Sequence, residues 1–338
     1  MAKTMPYEVY ADSRMVDHDK WLELRRSGIG GSDAGAIMGV NPYKGPFSVW
    51  ADKLGYESAI EDSEAMRQGR DLEEYVARRF AERTGQSVAR EYGMLRSREH
   101  PCMVANIDRK IRGQKAGLEC KTSRDIYMKR YRGGEIPMEY YCQCLHYMAV
   151  TGWWAWYLAV LVYGTDLLVY KLCREGADVL DSERGKVVKI DVPEEDMEAL
   201  IGAETAFWRD HIERMTPPPP DGLRATSEAL GMMYRESEDC SIDSTGEEDV
   251  LISRLIELKK RMKADGEEAR LIENRIKGRM GAAEEMRSAE ALITWRPQKQ
   301  RRISERRIRE LYPMVDVDKI KETVDLRRFT VRAEEEEE

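Results

Sequence analysis

Residues 117–125 read GLECKTSRD. Side chains alternate between the faces of a strand, so Glu119 and Lys121, with Cys120 between them, share one face. Two charges on a buried face are costly unless each has a partner. The pair is therefore either a surface ion pair or part of a site. Eleven residues before Glu119, the apolar segment VANIDRKI (104–111) carries Asp108. An Asp followed, on an adjacent strand, by Glu-x-Lys gathers two carboxylates and an ammonium around one point. Such oxygen donors suit Mg²⁺, which keeps several waters and leaves room for a phosphate oxygen. Lys121 can orient or deprotonate an attacking water and stabilise charge on the phosphate. Phosphodiester hydrolysis uses these parts. Taken bare, the pattern is short and built from common residues, and a solvated surface pair produces it too.

The surrounding chain has 338 residues, 35% of them charged, and a mean hydropathy of −0.63. That length accommodates one large domain or two smaller ones. The first twenty residues lack the apolar core of a signal peptide, and the longest apolar run, WWAWYLAVLVY (153–163), is too short to span a bilayer. A cytoplasmic protein with no membrane partner is expected. Six cysteines (102, 120, 142, 144, 173 and 240) show no CxxC pair, so reduced thiols and no iron–sulfur cluster are expected.

The net charge of −8 argues against a nucleic-acid partner, but five of those negatives form the terminal run 334–338, read as a disordered acidic tail. Positive charge is gathered elsewhere. RPQKQRRISERRIR (296–309) has seven Arg or Lys against one Glu, and RDIYMKRYR (124–132) has four against one Asp. Either run alone is compatible with a solvated helix face.

GIGGSDAGAIMG (28–39) reads as a Gly-rich turn and a short helix with Ser32 or Asp33 at its N-cap. Residues 64–85 form a helix closed by Gly85, and 137–152 another closed by Gly152. Strand-like segments lie near 92–96, 102–112 and 116–122; residues 153–163 and 167–173 read as a buried hairpin. A helix over 193–215 stops at TPPPP (216–220), taken as the domain boundary, with a linker over 221–246. From 247 to 333 a helical arm follows. Its apolar seam keeps phase across Asp265-Gly266, which predicts one continuous coiled-coil-like helix about 50 Å long. ALITW (291–295) and RRFTV (327–331) read as a strand pair enclosing a basic helix that begins near Ser304.

The order of these motifs resembles the PD-(D/E)XK nucleases: a helix bearing Glu73 and Glu74, then Asp108…Glu119-x-Lys121, then a helix bearing Gln143. WLELRRSGIGGSDAGAIMG…NPYK, ECKTSRDIYMKRYRGG and YYCQCLHYMAVTG bring the likeness closer to the YqaJ-type viral recombinases related to phage lambda exonuclease, over roughly 20–215. The resemblance implies an α/β (α+β), restriction-endonuclease-like core, residues 1–220, with a mixed central sheet flanked by helices. It implies that Asp108, Glu119, Glu73 and the Cys120 carbonyl hold Mg²⁺, with Mn²⁺ able to substitute. Lys121 would act on the water, and Gln143 would position the water or the phosphate. Glu73 matches the family's helix glutamate better than Glu74. Arg26 and Ser32 match the 5′-phosphate pair, although a shorter Arg-to-Ser interval leaves Arg25 as the alternative to Arg26. Arg124, Lys129, Arg130 and Arg132 would face DNA. The implied activity is Mg²⁺-dependent, 5′ to 3′ digestion of linear duplex ends for phage-type recombination, inside the bacterial host if the gene is phage-borne. A ring such as a trimer, and docking of a single-strand annealing protein, are the implied partners. A restriction-type or structure-specific endonuclease, or a non-catalytic end-binding scaffold, is the alternative.

Overall fold

The computed structural model describes residues 5–56, 63–125, 129–164, 166–175, 187–321 and 327–331. The acidic tail and the side chain of Arg132 lie outside the described residues. The chain divides into two compact units, Met1–Tyr234 and Arg235–Glu338.

In the first unit the elements run β1 (Tyr7–Asp12), α1 (His18–Arg26), α2 (Gly31–Ile37), α3 (Pro46–Lys53), α4 (Glu64–Thr84), β2 (Val88–Arg90), β3 (Gly93–Ser97), β4 (Val104–Ala105), β5 (Arg109–Ile111) and β6 (Ala116–Ser123). They continue as α5 (Met138–Thr151), β7 (Ala155–Val162), β8 (Asp166–Arg174), β9 (Val188–Val192), α6 (Glu194–Phe207) and α7 (Arg224–Met233). Six strands form a mixed sheet in the order β2-β5-β6-β7-β8-β9, and β1, β3 and β4 form a second, antiparallel sheet. β6 and β7 run parallel, joined through α5, while β5–β6 and β7–β8 are antiparallel. The expected mixed sheet flanked by helices is present.

Alternation along the central strands sorts their side chains between two cores. Leu118, Ala155, Tyr157 and Ala159 pack with Val76, Ala77 and Phe80 of α4. Trp156, Leu158 and Val160 pack on the opposite face with Cys144, Leu145 and Met148 of α5. Leu118 takes the α4 side of β6, which leaves Glu119 and Lys121 on the α5 side. Gly85 and Gly152 end α4 and α5 in the left-handed region (φ 74° and 64°), as the sequence led one to expect.

α2 approaches α5 closely because two glycines face it. A Cβ on Gly31 would stand 2.7 Å from the Tyr147 ring, and one on Gly35 2.9 Å from the Glu139 Cα. The latter contact is with backbone and cannot rotate away. Gly35→Ala is expected to lower stability by roughly 1–3 kcal/mol, the usual cost of overpacking, seen as a lower urea midpoint at unchanged slope.

Three expectations are corrected. The short helix takes Gly30 as its N-cap, with Asp33 Oδ2 accepting from Gly30 N at 3.0 Å, so Ser32 and Asp33 lie inside the first turn. The boundary falls after Tyr234, not at the prolines. Within the expected linker, α7 forms and lays Ala229 against the cluster of Phe47, Trp50 and Phe207, with Leu230 and Met233 alongside. Its apolar residues recur at helical spacing and have a face to bury.

The third correction lies in the second unit. There α8 (Gly246–Met280) runs unbroken through Asp265-Gly266, and β10 (Glu285–Arg287) pairs antiparallel with β11 (Leu292–Thr294). Residues 327–331 form no strand. The hairpin is local: Ser288 Oγ accepts from Glu290 N (3.2 Å) and Ala291 N (3.0 Å), closing a turn that hands the strand a partner a few residues away. The basic helix α9 (Glu305–Leu311) starts at its Ser304 cap as expected.

Candidate functional site

Register carries Asp108 to Glu119. β5 and β6 pair Arg109 with Leu118 at the end of their ladder, which brings Asp108, one residue earlier, beside Glu119. Asp108 is not within a strand, as the sequence suggested, but at the bend between β4 and β5, where the chain passes from one sheet to the other. There Asp108 Oδ2 accepts from Cys120 N at 2.8 Å. Burial, then the nearby Glu119 and Glu73 carboxylates, push the Asp108 carboxyl well above its ordinary range.

Glu119 is 4% exposed. Its Oε1 sits 2.6 Å from Lys121 Nζ and accepts from Gln143 Nε2 at 2.8 Å. Gln143 also donates to the Tyr147 hydroxyl at 2.9 Å. Burial works to lower the Lys121 ammonium, but Glu119 and Asp108 outweigh it and the net shift is upward. Lys121 is therefore held as an ammonium, suited to orienting water and meeting negative charge rather than to taking a proton. Its Nζ lies 5.2 Å from the centre of the Tyr140 ring, with the Arg130 guanidinium 6.0 Å from the same ring.

The donor set can be tested against a divalent cation. Glu119 Oε2 is buried and has no hydrogen-bond partner. An orphaned carboxylate oxygen beside a carboxyl strained by like charge is the arrangement a hard cation relieves. The fit rests on two carboxylates. Among the described residues no three acidic, thiol or imidazole side chains converge on one point. The reason is Arg109, which is 2% exposed. Its Nη1 donates to Glu73 Oε1 at 2.5 Å and its Nη2 to Glu74 Oε2 at 2.8 Å, so Glu73, expected as a ligand, is engaged by a guanidinium. Arg109 escaped the sequence reading. Its signal was there: one step beyond Asp108 it must face the other side of the sheet, toward the acidic pair on α4.

Glu73 nevertheless adjoins Asp108. Both line a cavity of about 360 Å³ together with Trp21, Arg90, Tyr92 and Asn106. Glu74 does not line it. The Arg25 guanidinium lies 5.6 Å from the ring centre of Trp21, one of the lining residues, and its Nη2 donates to Ser32 Oγ at 3.0 Å. Arg26 instead faces Asp52, with Nε 3.7 Å from Oδ1. One residue along a helix turns the side chain by about 100°, and α1 thereby hands Ser32 to Arg25, not to the expected Arg26. Of the remaining basic residues, Arg124 Nη2 donates to Gln68 Oε1 at 3.5 Å and Arg130 pairs with Glu139. Lys129 is exposed.

Residues 20–153 match the YqaJ-like viral recombinase domain. Over 329 residues, 96% of this chain and 97% of the relative, the sequence is 34% identical to the uncharacterized protein YqaJ of Bacillus subtilis (strain 168). This chain belongs to the YqaJ family. The resemblance read from the motifs is borne out at that level, and every site residue named above from Trp21 to Tyr147 lies inside the matched segment. Among solved structures it is similar to the alkaline exonuclease LHK-Exo from Laribacter hongkongensis, with TM-score 0.41, 17% identity, and 58% of this chain and 95% of that one covered. It is also similar to a phage related exonuclease from Haemophilus somnus 129PT, with TM-score 0.39, 14% identity, and 58% and 99% covered. No helix among the described residues is long and apolar enough to cross a membrane.

Behind the site of this YqaJ family member lie two buried ion pairs. Lys53 Nζ stands 2.7 Å from Asp33 Oδ2. His146 Nε2 is 2.9 Å from the Val104 carbonyl, and Nδ1 is 2.8 Å from Glu204 Oε2. A carbonyl only accepts, so Nε2 carries a proton, and another lies between Nδ1 and the carboxylate. For His146, burial lowers the pKa but Glu204 raises it further, and the net shift is upward. For Glu204, burial raises the pKa and the net shift is upward as well. The folded pair thus holds its protons more tightly than the unfolded chain. Its contribution to stability is complete at low pH and is lost as pH rises through the folded His146 value, above the usual imidazole pKa of about 6.5. The stability of the full chain, measured by urea unfolding, is expected to fall as pH rises above about 6.5, by up to about 1.4 kcal/mol per pH unit, and His146→Gln should flatten that slope.

Proposed function

We propose that this chain is a divalent-metal-dependent exonuclease that digests linear double-stranded DNA from its ends, 5′ to 3′, leaving single strands for recombination. The observation that carries the reading is the juxtaposition of Asp108, Glu119 and Lys121, with a buried oxygen of Glu119 left unpartnered. Asp108, Glu119 and the Cys120 carbonyl would hold the cation, with Mg²⁺ first and Mn²⁺ as a substitute. When bound, the metal supplies Lewis-acid stabilisation of charge on the phosphate and lowers the pKa of its water.

The chain's own groups do the rest. Lys121, kept charged by Glu119, orients the water and meets the charge that develops on the phosphate oxygens. Gln143 fixes Glu119 from α5 and is itself anchored by Tyr147. Arg109 holds the α4 acids and keeps Glu73 beside Asp108. Arg25 and Ser32 offer a terminal phosphate a guanidinium and a hydroxyl, close to the Trp21 edge of the cavity. Arg124, Lys129, Arg130 and Arg132 sit between β6 and α5, where they would meet duplex DNA. A ring of copies around the duplex, and capture of the product strand by an annealing protein in the host cytoplasm, complete the reading.

A time course on linear and closed circular duplex, with and without Mg²⁺, tests it. Digestion of the linear form alone, and with metal alone, is expected. Nicking or cutting of circles would make the protein an endonuclease; binding without cleavage would make it a scaffold.

A further inference from the structure

α8 is fixed at its start by Thr245, whose backbone N and Oγ both reach Glu248 Oε2, and runs for 35 residues. Between Leu251 and Ile276 its seam positions alternate spacings of four and three over about 38 Å. Most of those positions lie open, Leu251 at 69%, Met262 at 72% and Ile272 at 49% exposure, while Leu255 and Ile276 are half-buried. A helix with this stripe and this exposure needs a cover.

We propose that the cover is α8 of a second copy of this chain, packed antiparallel. The stripe is symmetric about its midpoint. Reversed on itself, Leu251 meets Ile276 of the second copy, Leu255 meets Ile272, Leu258 meets Ala269, and Met262 meets Asp265. Every large apolar residue of the seam then faces an apolar one except at the centre. There Asp265 lies against a thioether flanked by Arg261 and Lys263, which neutralise it.

Charge decides the direction. In a parallel pair the flanking positions would set Arg254 beside Lys259 and Glu268 beside Glu273, each twice, and would press Asp265 against its own copy. In the antiparallel pair Arg261 flanks Glu268 twice, near the middle. Its one unfavourable pairing, Arg254 with Arg275, also occurs twice but falls toward the open ends, where water and salt screen it. Two identical helices related by a twofold axis give a closed, self-complementary interface. This pairing does not rest on the nuclease reading.

Cysteine crosslinking of the full chain tests it, in a Cys240→Ser background because Cys240 is an exposed thiol. Leu251→Cys chains and Ile276→Cys chains, mixed and mildly oxidised, are expected to give a covalent dimer, while either variant alone gives none. Association through the first unit does not bring position 251 onto 276, so the band reports on α8. Adding Glu268→Arg replaces two attractions by repulsions and should weaken dimerisation roughly tenfold. A dimer from Leu251→Cys alone, or tighter pairing with Glu268→Arg, would mean a parallel arrangement and overturn the proposal. No crosslink in the mixture would overturn it too, leaving the stripe to a different partner.

Discussion

Lys121→Ala is expected to reduce cleavage of linear duplex by at least about 10²-fold while DNA binding stays near the unmutated level. The reasoning starts from the strand. β6 places Lys121 one pleat beyond Glu119, on the same face, with Nζ 2.6 Å from Oε1. The lysine is partly open to the site, at 24% side-chain exposure, so it is reachable by a phosphate or a water. Its charge is sustained by two carboxylates, and a fixed ammonium in a partly desolvated site acts on charge that appears only in the transition state. Asp108→Ala should fail differently, through weaker Mg²⁺ binding, which metal titration separates from the catalytic loss. A thermal melt shows that each variant is folded. Cleavage at the unmutated rate by folded Lys121→Ala would reject the site.

Substrate choice gives the second large effect. A terminal 5′-phosphate carries about two negative charges, more than an internal diester. The guanidinium of Arg25, already on Ser32 Oγ at 3.0 Å, can grip it with charge-assisted hydrogen bonds. Such bonds contribute about 1.5–3 kcal/mol each, so duplex with 5′-phosphate ends should be digested roughly tenfold or more faster than duplex with 5′-hydroxyl ends. Arg25→Ala should erase most of that preference without changing Mg²⁺ affinity. Arg26→Ala should leave it, because Arg26 faces Asp52. Equal rates on both ends by the unmutated protein would remove the phosphate pocket, and loss with Arg26→Ala alone would restore the other arginine.

Local chemistry was legible in the sequence, and long-range register was not. Gly85 and Gly152 announced the ends of α4 and α5, and the seam of α8 kept its phase through Asp265-Gly266 because helix periodicity is written residue by residue. Glu119 and Lys121 could be assigned to one face from spacing alone. Asp108 could be paired with them, but its place at a bend between two sheets depends on how β4 and β5 part company, which no window of sequence records. For Arg109, alternation gives the face, but its acidic partners appear only once α4 packs against β6. Arg25 and Arg26 differ by one helical step, and which of them meets Ser32 is decided by how α1 sits against α2. The β11 strand was recognised but matched to a distant segment, when a serine-closed turn supplied a nearer one. The helix within the supposed linker was hidden by the prolines before it.

The most direct test of metal-dependent digestion from DNA ends uses the full chain and one linear duplex labelled at either its 5′ or its 3′ ends, followed in Mg²⁺ and in EDTA. With Mg²⁺, the 5′ label should be released as mononucleotide early in the reaction while the 3′ label stays on long strands, and EDTA should stop release of both. Early release of the 3′ label, or release of either label at the same rate in EDTA, would contradict the site and the polarity assigned to it.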